Sequence, residues 1–249
     1  MQDKPVALVT GASRGIGFQI AKDLAAHGFT VLVGSRNLEQ GERAAASIGG
    51  DARALQLDVT DQASIDAAAE RIRHELGQLD VLVNNAGIMN AGRPGDGLEE
   101  QLNAGRLSAV ALDGVRTVFE TNVFGVIAVT QAMLPLLREA PAPRIVNMAS
   151  SGGSLTLSSD PANPRRARFG TYAVSKVALN ALTVAFAADL ESVGIKVNSA
   201  DPGVTATGLN NFLGTRSVEQ AAREPVRLAL LDASGPTGTF SNEDGPIPW

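Results

Sequence analysis

The 249-residue chain contains no cysteine. That removes disulfides, thiolate nucleophiles and zinc–sulfur sites together. Histidine is nearly as scarce. His27 and His74 both fall in amphipathic helical pattern, far from any acidic or serine motif, which argues against a Ser-His-Asp hydrolase and a histidine-bound metal. No metal site is expected. Net charge is −5, and the one local basic run is "PRRAR", Pro164 to Arg168, which reads as a solvated loop. Nucleic acid and anionic membrane surfaces are therefore poor partners. The start, "MQDKPVALVTG", has no charged segment leading into a long apolar run, so no signal peptide is visible. No apolar run approaches the roughly 20 residues of a membrane span. These absences predict a soluble, cytoplasmic protein. Aromatic residues make up only 4% of the chain, with a single tyrosine, Tyr172, and a single tryptophan, Trp249, and lysine occurs just four times.

What is present is core-forming material. Apolar residues account for 44% of the sequence, enough to exclude global disorder, and about 250 residues suit one domain. Short β-branched runs alternate with longer helical patterns. Strands are expected over residues 6–10, 30–35, 52–59, 79–85, 144–150, 195–200 and 237–241. Helices are expected over 15–28, 38–48, 61–76 (Thr60 or Asp61 as N-cap), 113–138 (stopped near Pro135) and 172–194 (Gly194 at its end). A last helix opens on a capping box of Ser217 and Gln220. Continuously apolar strands alternating with helices predict an α/β fold: a doubly wound, seven-stranded parallel sheet, Rossmann-like, with helices on both faces and one domain over 1–249. Residues 88–112, 151–171 and 204–216 leave strand ends on the side where open α/β sheets bind ligands, so they are the expected substrate loops.

"TGASRGIG", Thr10 to Gly17, joins the first strand to the first helix. Its glycines allow a tight turn and close approach to a pyrophosphate, with free N–H groups at the helix start. Together with "NNAG" (Asn84 to Gly87) and Tyr172-x-x-x-Lys176, this turn resembles the short-chain dehydrogenase/reductase family, over about residues 5–208. The resemblance implies cofactor contacts from Gly11, Ser13, Arg14, Gly15, Ile16 and Gly17. It implies others from Asp58 and Val59 at the adenine, and from Asn84, Ala86 and Gly87 beside the central strand, where Asn84 also acts structurally. Pro202, Gly203 and Thr207 in "DPGVTAT" match the family's P-G-x-x-x-T, although Asp201 before that proline is unusual and has no counterpart role. Asp58 taken alone reads as a solvated turn residue. NAD-binding members usually carry an acid at the end of the second strand. Here Ser35 and Arg36 stand there, and with Arg14 they favour the 2′-phosphate of NADP over NAD.

Tyr172 and Lys176 lie four positions apart, on one face of a helix. A free phenol has a pKa near 10, and a nearby cation favours the phenolate. The expectation is that Lys176 lowers it, and a drop of about 3 pH units corresponds to roughly 4 kcal/mol. The resemblance further implies that Tyr172 is the proton donor, that Ser150 (or Ser151) polarises the substrate oxygen, that Lys176 also holds the ribose, and that Asn122 positions a water beside the lysine. The spacing before Tyr172 is longer than is usual in the family, and so is that before Asn122. With the ending "GPTGTFSNEDGPIPW", both match the carbonyl-reductase branch. The expected activity is NADPH-dependent reduction of a small-molecule ketone or aldehyde, or the reverse oxidation. A non-catalytic NADP(H)-sensing protein and a cofactor-recycling lyase or epimerase share parts of this pattern. Leu155, Leu157, Phe169 and Phe212 are candidates for an apolar substrate wall. The family commonly pairs its two long helices between subunits, giving a homodimer or homotetramer, and its carbonyl-reductase branch also includes monomers.

Overall fold

Strands made mostly of apolar residues have little to offer water on either face, and the sheet is built accordingly. The computed structural model describes residues 4–89, 105–164, 166 and 170–249. In it, β1 (Val6–Val9), β2 (Thr30–Ser35), β4 (Val81–Asn84) and β5 (Arg144–Met148) are buried along their whole length. They are joined by β3 (Ala52–Gln56), β6 (Lys196–Ala200) and β7 (Phe240–Asn242) in the order β3-β2-β1-β4-β5-β6-β7. All of these pair in parallel. The expected seven parallel strands are present, with one addition. An eighth strand, β8 (Gly245–Pro246), runs antiparallel to β7 at the edge. Two residues are too few to give any alternation in sequence, and proline is tolerated on an edge strand.

Alternate side chains of each strand enter opposite cores. Leu8, Leu32, Leu82, Ile145 and Val197 pack with α3 (Gln62–Glu75), α4 (Leu112–Leu137) and α6 (Thr171–Leu190). Val9, Val33, Val83 and Val146 pack with α1 (Gly15–Ala26), α2 (Leu38–Ile48) and the last helix, α7 (Val218–Ala229). The capping box of Ser217 and Gln220 opens α7, and Asp61 caps α3, both as expected. As expected, α4 stops near Pro135, with Leu137 its last residue. Pro135 lies in its last turn, so the i→i−4 hydrogen bond that its missing N–H removes is lost only at the end of the helix. Contrary to expectation, Leu112–Leu137 and Thr171–Val193 are each long and apolar enough to cross a membrane. The polar residues that interrupt them in sequence are few, and Met133, Leu136, Leu137, Leu179 and Leu190 bury these helices against the sheet.

A buried polar ladder fixes the sheet's register. Asn84 Nδ2 donates to Asn147 Oδ1 (2.9 Å) and to Thr130 Oγ1 (3.2 Å). Asn147 Nδ2 donates to Thr183 Oγ1 (2.8 Å), which meets Ser199 Oγ at 2.8 Å. One row of hydrogen bonds thus ties α4, β4, β5, α6 and β6 together. A one-residue slip of any of these strands would leave several buried polar groups unpaired.

Candidate active site

After β1 the chain runs outward through β2 and β3, then returns to the other side of β1 as β4. The crevice at this reversal is where a doubly wound sheet receives a ligand. Gly11 and Gly15 line it with φ of 64° and 62°, the left-handed region that strains any residue with a Cβ. A Cβ on Gly11 would lie 3.0 Å from Ala86 Cα. One on Gly17 would lie 2.3 Å from Asn85 Nδ2. Thr10 Oγ1 accepts from Asn85 N (3.0 Å) and Ala86 N (2.9 Å), and Asn85 Nδ2 donates to Thr10 O (2.8 Å). The glycine turn and the "NNAG" segment are therefore one hydrogen-bonded unit. α1 starts at Gly15 with no side-chain cap, leaving its first N–H groups and positive dipole end for an anion. Thr207 closes over the turn, its methyl 3.7 Å from where a Cβ of Gly15 would be. Glycine cradle and uncapped helix start together fit a dinucleotide pyrophosphate.

The other expected cofactor residues surround this cradle with differing roles. Ser13 and Ile16 are partly buried within the turn, and Arg14 and Arg36 are exposed beside it. Ser35 is buried, its hydroxyl donated to Asn37 O at 2.9 Å, so it shapes the end of β2 rather than offering a free donor. Asp58 Oδ1 accepts from Thr60 N (3.0 Å) and Thr60 Oγ1 (2.7 Å). Val59 is buried, with its carbonyl against Gly125. Asn84 is the sheet brace described above. Gly203, with φ of 71°, turns the chain after Pro202.

Four side chains converge beyond the carboxyl ends of β4, β5 and β6. α6 begins at Thr171, whose N and Oγ1 donate to Gly105 O at 2.8 and 3.0 Å. On its next turns Tyr172 and Lys176 share a face. Lys176 Nζ donates to Met148 O (2.7 Å) at the end of β5 and stands 5.6 Å from the Tyr172 ring centroid. Ser150 follows two residues after Met148, hydrogen-bonds Tyr172, and accepts from Gly152 N at 3.2 Å. Its short 3₁₀ turn, Ser151–Gly153, lies flat on α6, since a Cβ on Gly153 would be 2.8 Å from the Lys176 backbone. Asn122 is fully buried in a π-helical segment, Glu120–Phe124, of α4. Its Nδ2 donates to Ile88 O (2.8 Å) and Ser175 Oγ (3.0 Å), while its Oδ1 accepts from Ile88 N (2.9 Å). Ser175 Oγ in turn donates to Tyr172 O at 2.6 Å. A Cβ on Gly87 would sit 3.3 Å from Asn122 Oδ1 and 3.7 Å from Lys176 Nζ, which places the cradle directly beside the cluster.

The family profile described as short chain dehydrogenase matches residues 5–217. The chain belongs to the short-chain dehydrogenase/reductase family. It is 33% identical to (−)-isopiperitenone reductase of Mentha piperita, over 96% of each chain. The structure of salutaridine reductase from Papaver somniferum has a TM-score of 0.80 to this one at 28% identity, covering 95% of this chain and 99% of that one. A gluconate 5-dehydrogenase from Burkholderia cenocepacia J2315, solved in complex with NADP and tartrate, gives 0.78 at 25% identity, over 96% and 93%. Membership makes this protein an oxidoreductase of the carbonyl-reductase-like branch.

In the protein alone burial shifts the phenol in the direction opposite to the lowering expected from Lys176. An edge of Tyr172 reaches the surface, yet burial pushes its pKa above the ordinary value. The Asp201 carboxylate pushes it further, and only the Ser150 hydrogen bond opposes them. Lys176 is itself pushed down to about 8 by burial. Its ammonium points at the Met148 carbonyl, and desolvation of the phenolate outweighs a cation held in that position. At neutral pH the phenol keeps its proton. Sequence reasoning passed over Asn85 and Ser175, although both lie inside the quoted motifs. Of the candidate substrate wall, Leu155 and Phe212 are exposed and Leu157 is half-buried. Phe169, most of the 88–112 loop and much of the "PRRAR" run lie outside the described residues.

Proposed function

We propose that this oxidoreductase reduces a ketone or aldehyde to the alcohol with NADPH, and that Tyr172 supplies the proton. The observation that carries the reading is the meeting of Ser150, Tyr172 and Lys176 beside the glycine cradle. The nicotinamide, when bound, supplies hydride. Ser150 donates its hydroxyl hydrogen bond to the substrate oxygen and stabilises the charge that develops there. Tyr172, held in its protonated form, delivers the proton to that same oxygen. Lys176, charged at neutral pH, holds the ribose end of the cofactor, and Asn122 fixes Ile88 and Ser175 around the tyrosine. The reverse oxidation uses the same residues with the proton moving back to Tyr172.

NADPH is favoured by Arg14 and Arg36, exposed at the cradle and at the end of β2, and by the lack of an acid at position 35 or 36. A guanidinium forks onto a phosphate, whereas a carboxylate there would repel it. Residues 88–112, 151–171 and 204–216 are the loops that would select the carbonyl compound. Phe124 and Val184, exposed on α4 and α6, support a homodimer or homotetramer. The test is a panel of aryl ketones, diketones and quinones, with oxidation of NADPH and of NADH followed side by side. Turnover with NADPH at a kcat/KM at least about tenfold that with NADH is expected. No turnover with either cofactor would favour a nucleotide-sensing protein instead.

A further inference from the structure

Three side chains on one stripe of α6 bond to β5 and to the turn that follows it. Lys176 Nζ donates to Met148 O at 2.7 Å, Asn180 Nδ2 donates to Gly153 O at 3.1 Å, and Thr183 Oγ1 accepts from Asn147 Nδ2 at 2.8 Å. Residues three and four apart share a helix face, so these three form a row. Lys176 belongs to the catalytic cluster and Thr183 to the sheet ladder. Asn180 has a part in neither. It is only 3% exposed, and its Oδ1 is buried with no hydrogen-bond partner among the described residues. An unpaired buried oxygen is costly, and an amide kept at that cost calls for a reason beyond packing. The reason lies in the bond its Nδ2 makes. Gly153 closes the 3₁₀ turn that Ser150 opens: Gly153 N donates to Ser150 O at 2.7 Å, and Ser150 Oγ accepts from Gly152 N at 3.2 Å. The turn lies along the same row of α6. A Cβ on Gly152 would stand 3.7 Å from Ala173 Cβ, and one on Gly153 2.8 Å from the Lys176 backbone.

We propose that Asn180 is a positioning residue: by tethering Gly153 O to α6 it holds the Ser150 hydroxyl at its working place beside Tyr172, which the same helix carries. The proposal rests on the reading of Ser150 as the group that polarises the substrate oxygen. β5 pairs with β6 as far as Met148, and Ala149 N still donates to Ala200 O at 2.8 Å. Ser150 is the first residue past that pairing, so the sheet does not fix its hydroxyl. The bonds from Gly153 N to Ser150 O and from Ser154 N to Ser151 O (3.1 Å) are internal to the turn and do not set its place on the helix. Contact of the two glycines with α6 keeps the turn close, but such contact is undirected. The Asn180 bond is directional, and it measures the turn against the helix that presents the proton donor. A group that stabilises developing charge works only at its proper distance from the oxygen, and a misplacement of about 1 Å costs about a hundredfold.

Asn180→Leu removes the donor and keeps the bulk. Its kcat over the carbonyl panel should fall about ten- to a hundredfold, while the KM for NADPH stays within about twofold. A loss carried through Ser150 has nothing left to act on once that hydroxyl is gone. In a Ser150→Ala background the same substitution should therefore cost less than about twofold. Parent, single variants and double variant are compared by NADPH oxidation at high enzyme concentration, where slow turnover is still read. Asn180→Ala replaces the leucine variant if that one folds poorly. A folded variant with the parent kcat overturns the proposal, even if it unfolds at lower denaturant, because Asn180 then serves stability alone. Losses that multiply in the double variant overturn it as well, since Asn180 would then act apart from Ser150. Either result leaves the polarising role of Ser150 standing on the loss in Ser150→Ala itself. If Ser150→Ala keeps the parent kcat, the reading of Ser150 fails and the proposal falls with it.

Discussion

At Tyr172 and Lys176 the two ionisable groups of one helix face are pushed in opposite directions by the same burial, and each becomes easier to keep neutral. For Lys176 the consequence for stability has a definite sign. Its pKa is about 8 in the folded chain against about 10.4 in a free lysine. Below pH 8 folding must carry a buried ammonium, and between pH 8 and about 10.4 the unfolded chain binds more protons, so this penalty is relieved as pH rises. Replacing Lys176 with methionine should therefore gain most, relative to the parent, near neutrality. That gain, at most about 3 kcal/mol and reduced by the lost bond to Met148 O, should shrink toward pH 10 in denaturant titrations, while reduction is lost at every pH. Arg36 makes a second residue-scale prediction. Arg36→Ala should lower kcat/KM for NADPH by about ten- to a hundredfold, as expected for a lost charge-assisted hydrogen bond, and leave NADH turnover within about twofold. Equal losses with both cofactors would remove Arg36 from phosphate recognition. The site itself was legible to this depth. Gly11, Gly15, Gly17, Tyr172 and Lys176 carry their chemistry in their spacing. The direction of the Tyr172 shift was not legible, because it depends on how much water is excluded and on a carboxylate 29 positions away in the chain.

Elements were readable where one period dominates. Strands rich in Val, Leu and Ile, and helices with an apolar stripe, fall where the pattern puts them, as do the caps at Asp61, Ser217 and Gly194. Three features escaped. The π-helical segment at Asn122 depends on the amide bonding Ile88 across 34 residues. β8 is too short to have a pattern. Residues 151–159 form a 3₁₀ turn and a five-residue helix, α5 (Leu155–Ser159), through local serine caps, which look like loop chemistry in sequence. A helix of one turn is not stable alone. α5 is held because Thr156 N and Oγ1 donate to Trp249 O at 2.9 and 2.6 Å, while the Trp249 ring stacks on Phe240 with centroids 5.6 Å apart. Trp249→Ala should loosen this clasp and raise the KM for the carbonyl substrate about tenfold, a loss of about 1.4 kcal/mol. The cofactor KM should hardly change. An unchanged substrate KM would show that α5 does not shape the substrate site.

Over the whole molecule, the doubly wound order delivers every functional segment to one edge. The glycine turn follows β1, "NNAG" follows β4, Ser150 follows β5 and Asp201 follows β6. The ladder from Thr130 through Asn84, Asn147 and Thr183 to Ser199 holds those strand ends level with one another. Parallel pairing and helices on both faces were legible because the strands are apolar on both sides. The order of the strands was not legible, because periodicity does not say which strands are neighbours. The account's central claim is that this arrangement makes one phenol the proton donor to a carbonyl oxygen. Its most direct test is steady-state oxidation of NADPH over the carbonyl panel by the parent and by Tyr172→Phe. The account predicts that the variant binds NADPH as the parent does and loses about 10²- to 10⁴-fold in kcat. A folded Tyr172→Phe variant that reduces the same compounds at the parent rate would contradict it.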